Sequence, residues 1–282
     1  MTTIRPAIAT AAAAAMTAAF QPRRPSHALD ELVLPARTLE AILEALAVRE
    51  NQDLVFDSWG LSATHGRARR IGINLYGPPG TGKTMAAHAI AARLGMDILP
   101  VSYAEIESKF VGDTPKNLGV VFALAREAGC VLFFDEADAI LSRRLSNMGN
   151  ATDTSVNQTR SVLLTLLNDY EGVVLFATNF ITNYDPAFMR RMLAHIRFDL
   201  PDLECRRRLL AALLPAALPT DARREELALA SEGLSGADLS NAVLLAALRG
   251  ARGAPPFVSH EYFLDAMAGI RAGILANSGD AP

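Results

Sequence analysis

Ile71-Gly-Ile-Asn-Leu-Tyr-Gly-Pro-Pro-Gly-Thr-Gly-Lys-Thr84 is the stretch on which the fold reading turns. Its first half, Ile71 to Tyr76, is a short apolar run that ends in a Gly/Pro cluster, which reads as a buried strand. Its second half, Gly77 to Thr84, fits GxxxxGK[ST] at every position. Glycines in such a loop let backbone N–H groups close on a phosphate chain, while Lys83 reaches the β- and γ-phosphates and Thr84 holds magnesium. A helix read from Met85 to Leu94 follows and directs its positive dipole end at the anion. Strand, loop and helix are the setting this pattern requires. Pro79, Gly80, Thr81, Gly82, Lys83, Thr84 and Met85 are therefore the candidate contacts to ATP, with Mg2+ on Thr84.

Outward from that stretch, apolar runs at 97–102, 131–134, 173–178 and 195–200 read as strands. Residues 115–128 and 156–170 read as helices. Leu39, Ile42, Leu43 and Leu46 recur at helical spacing, so 36–50 is an amphipathic helix. Strands alternating with helices imply a parallel sheet with helices on both faces. After Pro201 the strand signal stops, and 204–214, 222–232, 237–249 and 259–275 read as helices between Pro and Gly breaks. The expected fold class is α/β, a P-loop NTPase parallel sheet sandwiched by helices and followed by a small all-helical lid domain. The expected domains are an Ala-rich flexible tail over 1–28, with a linker at Arg23 to His27, then the α/β domain with its N-terminal helix over 29–203, and the lid over 204–282.

Two more strands end in polar residues. Val131-Leu-Phe-Phe-Asp-Glu136 delivers two acids to the sheet edge from which the phosphate loop emerges, the edge where open α/β sheets bind ligands. Asp135 is read as the acid that orients the metal ion, and Glu136 as the one that orients the attacking water. Val173-Val-Leu-Phe-Ala-Thr-Asn179 places Asn179 where it hydrogen-bonds that water or the γ-phosphate, unless it only starts a turn.

Composition narrows the function classes. The 282 residues are half hydrophobic and one-fifth charged, with a net charge of -3 and a pI of about 6.0. That balance gives no global positive field for nucleic acid or an anionic membrane. No apolar run is long enough to cross a bilayer. Cys130 and Cys205 lie in no Cys/His cluster, which removes support for a zinc site and fits a cytoplasmic protein.

The order of these motifs resembles the AAA+ superfamily, and within it the AAA branch, from about Trp59 to Ala268. Gly77–Thr84 corresponds to Walker A, Phe133–Asp138 (FFDEAD) to Walker B and Asn179 to sensor 1. The resemblance implies ATP hydrolysis by a homo-oligomeric ring, usually a hexamer, that moves a protein substrate, directly or through an adaptor. Ser108 to Asn117 resembles the segment whose aromatic residue lines the central pore, which makes Phe110, with Val111, a candidate for gripping substrate. Asp185-Pro-Ala-Phe-Met-Arg-Arg191 resembles the second region of homology, where Arg190 and Arg191 act on the neighbouring subunit's ATP. Leu234-Ser-Gly-Ala-Asp-Leu239 resembles the start of the lid helix, with Gly236 and Ala237 near the adenine or sugar. Trp59, Gly60 and Leu61 stand where the family binds adenine, with Trp59 equally readable as a domain-packing aromatic. Members with finger arginines three residues apart would place the second at Leu193, so the adjacent pair is a departure shared with severing and membrane-remodelling members. Residues Ser146 to Ser155 read as a second, mobile pore loop, and the arginines at 143–144 and 206–208 as surface charges or subunit contacts. A nucleic-acid-stimulated loader and a nucleotide-controlled assembly factor, for instance for contractile injection particles, are the competing functions.

Overall fold

The computed structural model describes residues 20–65, 70–102, 106, 114–141, 151–179 and 184–277. The candidate pore residues Phe110 and Val111, and Arg143 and Arg144, lie outside the described residues.

Five strands form one parallel sheet: β1 (Ile71–Tyr76), β2 (Ile98–Ser102), β3 (Val131–Asp135), β4 (Val173–Thr178) and β5 (Ala194–Arg197). Their spatial order is β2-β3-β4-β1-β5. The chain leaves β1 for one edge of the sheet and returns to β1's other side only with β5. β1 is thereby an interior strand, with the acid-bearing β3 one strand away across β4. The inner strands are buried almost end to end, as a sheet covered on both faces requires. Phe134 and Phe176 occupy one rung of the β3–β4 ladder and stack at 5.1 Å. Such a pair adds about 1 kcal/mol beyond its area burial.

The helices are α1 (Ala36–Glu50), α2 (Ser62–His65), α3 (Lys83–Arg93), α4 (Thr114–Ala128), α5 (Asp138–Leu141), α6 (Ala151–Asp169), α7 (Pro186–Met189), α8 (Leu203–Leu213), α9 (Arg224–Ala230), α10 (Gly236–Gly250) and α11 (His260–Asn277). α3 begins two residues before the expected start, because Lys83 and Thr84 are its own first turn. Ala86, Ala87, Ala89 and Ala91 are fully buried on it, small enough for close packing on more than one side. α6 starts at Ala151, so residues 151–155, expected in a mobile loop, have a helical backbone, while 146–150 lie outside the described residues. Asn and Thr at a helix start read as loop in a sequence because they also serve turns.

Two compact units divide the described chain. One runs up to Leu32 and takes Glu40–Gly77 and Lys83–Arg197; the other comprises Val33–Leu39, Pro78–Gly82 and Phe198 onward. The second unit begins before the expected boundary at 204, since β5 ends at Arg197. Its core gathers Leu210, Leu227, Leu239, Ala246, Phe263 and Met267 from α8 to α11. Arg206, expected at the surface, is buried within it, donating through Nε to the Ala228 carbonyl at 2.9 Å and through Nη1 to that of Pro201 at 2.9 Å.

Residues 20–28, read from sequence as tail and linker, are held on the first unit. Phe20 is buried in the core beside Leu99 and Val101. Arg23 and Ile98 exchange two backbone hydrogen bonds of 2.9 Å as an antiparallel bridge on the edge strand β2. The Ser26 amide donates to Nδ1 of the buried His88 at 3.2 Å. Pro and Arg in this segment look like a linker, yet Pro also suits a sheet edge, where no ladder donor is needed.

Candidate active site

The ladder brings three strand ends to one level. Tyr76 pairs with Thr178 and Phe134 with Phe176, so Gly77, Asn179 and the Asp135–Glu136 turn leave the sheet side by side. The Gly77 amide donates to the Thr178 carbonyl at 3.2 Å, and the Ala137 amide to that of Ala177 at 3.0 Å. Both bonds carry the pairing past the strand ends and fix the turns to one another.

The loop after β1 folds on itself. Thr81 Oγ1 donates to the Pro78 carbonyl at 2.8 Å. Gly80 and Gly82 stand at φ +74° and +94°, which side-chain-bearing residues rarely adopt. Lys83 is buried, and its Nζ donates to the Gly77 carbonyl at 2.7 Å across the mouth of the loop. Burial holds its pKa below the usual lysine range, against the pull of the Asp138 and Asp135 carboxylates. An anion seated on the loop would favour the charged ammonium.

Thr84 and Asp135, distant in sequence, meet here: Thr84 Oγ1 donates to Asp135 Oδ2 at 2.9 Å. A hydroxyl and a single carboxylate are hard oxygen donors of the kind magnesium takes alongside substrate phosphates and water. The other carboxylate oxygen of Asp135 accepts the Glu136 amide at 3.0 Å. Glu136 stands at φ 51°, the one positive φ outside glycine among the described residues. That conformation costs on the order of 1–2 kcal/mol and is held by the bonds on either side of it. It leaves the Glu136 side chain exposed beyond the strand end.

Gly80 is also a point of close approach. The Ala237 amide donates to the Gly80 carbonyl at 3.2 Å, and a Cβ on Gly236 would lie 3.5 Å from that oxygen. The two candidate residues of the α10 start thus abut the loop itself. Ser235 caps α10, its Oγ accepting from the Asp238 amide, with the Asp238 carboxylate returning to the Ser235 amide. Met85 is half-buried in the first turn of α3.

The two arginines differ. Arg190 is exposed. Arg191 is tethered, with Nε donating to Asn168 Oδ1 at 2.9 Å and Nη1 to the Ala187 carbonyl at 2.6 Å. Trp59 is 65% exposed at the end of a π-helical turn, Asp53–Ser58. Gly60 follows at φ +73°, and the Leu61 amide closes the turn onto the Val55 carbonyl at 3.3 Å.

The family model of the "ATPase family associated with various cellular activities (AAA)" matches residues 73–200, from within β1 to just past β5. The chain belongs to the AAA family of ATPases. Among curated proteins this AAA chain is 35% identical over 210 residues to the 26S proteasome regulatory subunit 7 homolog of Schizosaccharomyces pombe, covering 72% of the chain and 48% of that protein. It is 33% identical over 219 residues to the proteasome-activating nucleotidase of Aeropyrum pernix, covering 75% and 53%. A third relative, the 26S proteasome regulatory subunit 10B homolog A of Arabidopsis thaliana, is 34% identical over 204 residues, covering 70% and 51%. The chain spans about half the length of these relatives.

Two residues beside the candidate site escaped the sequence reading. Asp138 receives the Asn179 amide on both carboxylate oxygens, each at 3.2 Å. Tyr184 is buried beside it, its phenol pushed up by burial and by the Asp138 carboxylate. Asp138 was visible as the third acid of FFDEAD, but nothing in its spacing says that it reaches across to β4. Tyr184 carried no signal at all.

Proposed function

We propose that this AAA chain hydrolyses ATP with Mg2+ in a ring of identical subunits, a hexamer by family, and uses the cycle to unfold or remodel a protein substrate in the cytoplasm. The observation that carries the ATPase reading is the meeting of Thr84 and Asp135 at 2.9 Å, beside the buried Lys83 and the exposed Glu136. In this reading Lys83 and the loop amides bind the β- and γ-phosphates. Thr84 and Asp135 hold the magnesium ion, which draws charge from the phosphate oxygens when bound. Glu136 orients the attacking water and takes up its proton, and Asn179 holds that water or the γ-phosphate.

Arg190, exposed and at the end of α7, is the group suited to reach a neighbour's γ-phosphate, with Arg191 anchoring the segment that presents it. Trp59, Gly60, Leu61, Gly236 and Ala237 are the proposed base and sugar contacts. Phe110 and Val111 are the proposed grip on the client chain. The relatives' names tie them to the proteasome, which supports a protein substrate here. Two described facts fit a protein that works in solution: the chain is acidic overall, and no helix among the described residues is long and apolar enough to cross a membrane.

Subunit mixing tests the ring. Arg190→Ala and Lys83→Ala chains, each inactive alone, should regain part of the ATPase activity when mixed, because an intact loop then meets an intact arginine. Mixtures that stay inactive at every ratio, from subunits that still assemble, would remove the trans role.

A further inference from the structure

Asp138 opens α5, three residues beyond the end of β3, and neither metal nor water has been assigned to it. Its carboxylate accepts the Asn179 amide from the turn after β4, 41 residues away in sequence. It also acts on Lys83, ahead of Asp135 among the charges that favour the ammonium. Behind it, Tyr184 is packed against both Asp138 and Thr178, and Thr178 Oγ1 donates to the buried Asn74 on β1 at 3.4 Å. One carboxylate thus joins the turns after β3 and β4 and faces the lysine of the loop after β1. Hydrogen bonds to an ionised acceptor are roughly twice as strong as neutral ones.

We propose that Asp138 is a positioning residue for hydrolysis: its grip on the Asn179 amide holds Asn179 in register with Asp135 and Glu136. The inference rests on the ATPase reading above. It adds that the third acid of the segment acts through Asn179 rather than through the metal or the water. The part that matters is the acceptor oxygen, so an asparagine at 138 replaces the aspartate and an alanine does not.

The test uses the assembled full chain, with kcat and KM for ATP and with hydrogen exchange at the Asn179 amide. Asp138→Ala should lower kcat about a hundredfold, the scale expected when a group near the chemistry shifts by an ångström, with KM little changed. Asp138→Asn should recover most of that loss. The double variant Asp138→Ala/Asn179→Ala should be no slower than the slower single variant, since both remove one function. Exchange at the Asn179 amide should quicken by about tenfold or more in Asp138→Ala and stay slow in Asp138→Asn. Asp138→Ser, polar but too short to reach the amide, takes the place of alanine if that variant does not fold. Multiplicative losses in the double variant, an Asp138→Asn chain as slow as Asp138→Ala, or unchanged exchange would each overturn the proposal. A wild-type ring that does not hydrolyse ATP would instead overturn the ATPase reading, and this inference with it, before any variant is made.

Discussion

Gly80→Ala and Gly82→Ala form a pair in which the structure separates backbone strain from crowding. Both glycines stand at positive φ, +74° and +94°, so an alanine at either position costs about 1–2 kcal/mol in backbone conformation. A Cβ on Gly82 meets nothing within 4 Å, and the cost should stop there. A Cβ on Gly80 would lie 2.4 Å from Ser235 Oγ and 3.0 Å from Ala237 Cβ. Ser235 Oγ cannot simply swing aside, because it caps α10 and donates to Asp238 Oδ2 at 2.7 Å. Losing that cap costs about 1 kcal/mol, and overpacking adds about 1–3 kcal/mol. Gly80→Ala should therefore be about 2–4 kcal/mol more destabilising than Gly82→Ala. The assay is urea unfolding without nucleotide, read at the midpoint. A second sign follows from the same contact: Ser235→Ala destabilises the Gly80 chain by about 1 kcal/mol but is neutral or stabilising in Gly80→Ala. Equal losses for the two glycine variants, or a Ser235→Ala effect of the same sign in both backgrounds, would refute the reasoning.

Burial first, and then Arg23 and His27, hold His88 below the usual histidine pKa against the pull of Asp135, and the Ser26 amide needs its Nδ1 unprotonated. The unfolded chain therefore binds a proton first as pH falls through 6.5, and stability should drop as the pH goes lower. Asn at position 88 keeps an acceptor without titrating, so denaturation midpoints measured above and below pH 6.5 should show a flatter slope for His88→Asn. Arg206→Ala should cost about 2–4 kcal/mol in urea unfolding, since the Ala228 and Pro201 carbonyls lose a buried charged donor. Arg190→Ala should leave stability within about 0.5 kcal/mol while turnover is lost. Arg191→Ala should also lower the unfolding midpoint, by about 1–2 kcal/mol, because its bonds to Asn168 and Ala187 go with it.

Much of the α/β architecture was legible because buried parallel strands announce themselves as apolar runs. Ile71–Tyr76 and Val173–Thr178 were read to the residue. The short elements were not legible. α5 and α7 have four residues each, too few for a period to show, and the π-helical turn before Trp59 has no signature in residue types. Strand order also stays hidden in a sequence, and it is the placing of β4 between β3 and β1 that sets Asn179 between Asp135 and Gly77. The loop and the acid pair were readable because their chemistry demands particular residues at fixed spacing. The Asp138 contact was not, since it depends on the register between β3 and β4. Residues 20–28 misled for a related reason: Pro and Arg mark a linker in general, whereas here a single buried Phe20 and one bridge to Ile98 pin the segment down.

The most direct test is ATP turnover by the chain and by Glu136→Gln, with and without magnesium. The substitution keeps the size of the side chain at φ 51° and removes its ability to accept a proton. Wild type should hydrolyse ATP only with magnesium, and Glu136→Gln should bind ATP as tightly yet lose at least about a hundredfold in rate. Hydrolysis by Glu136→Gln at the wild-type rate would contradict the assignment of this strand edge as the reaction centre.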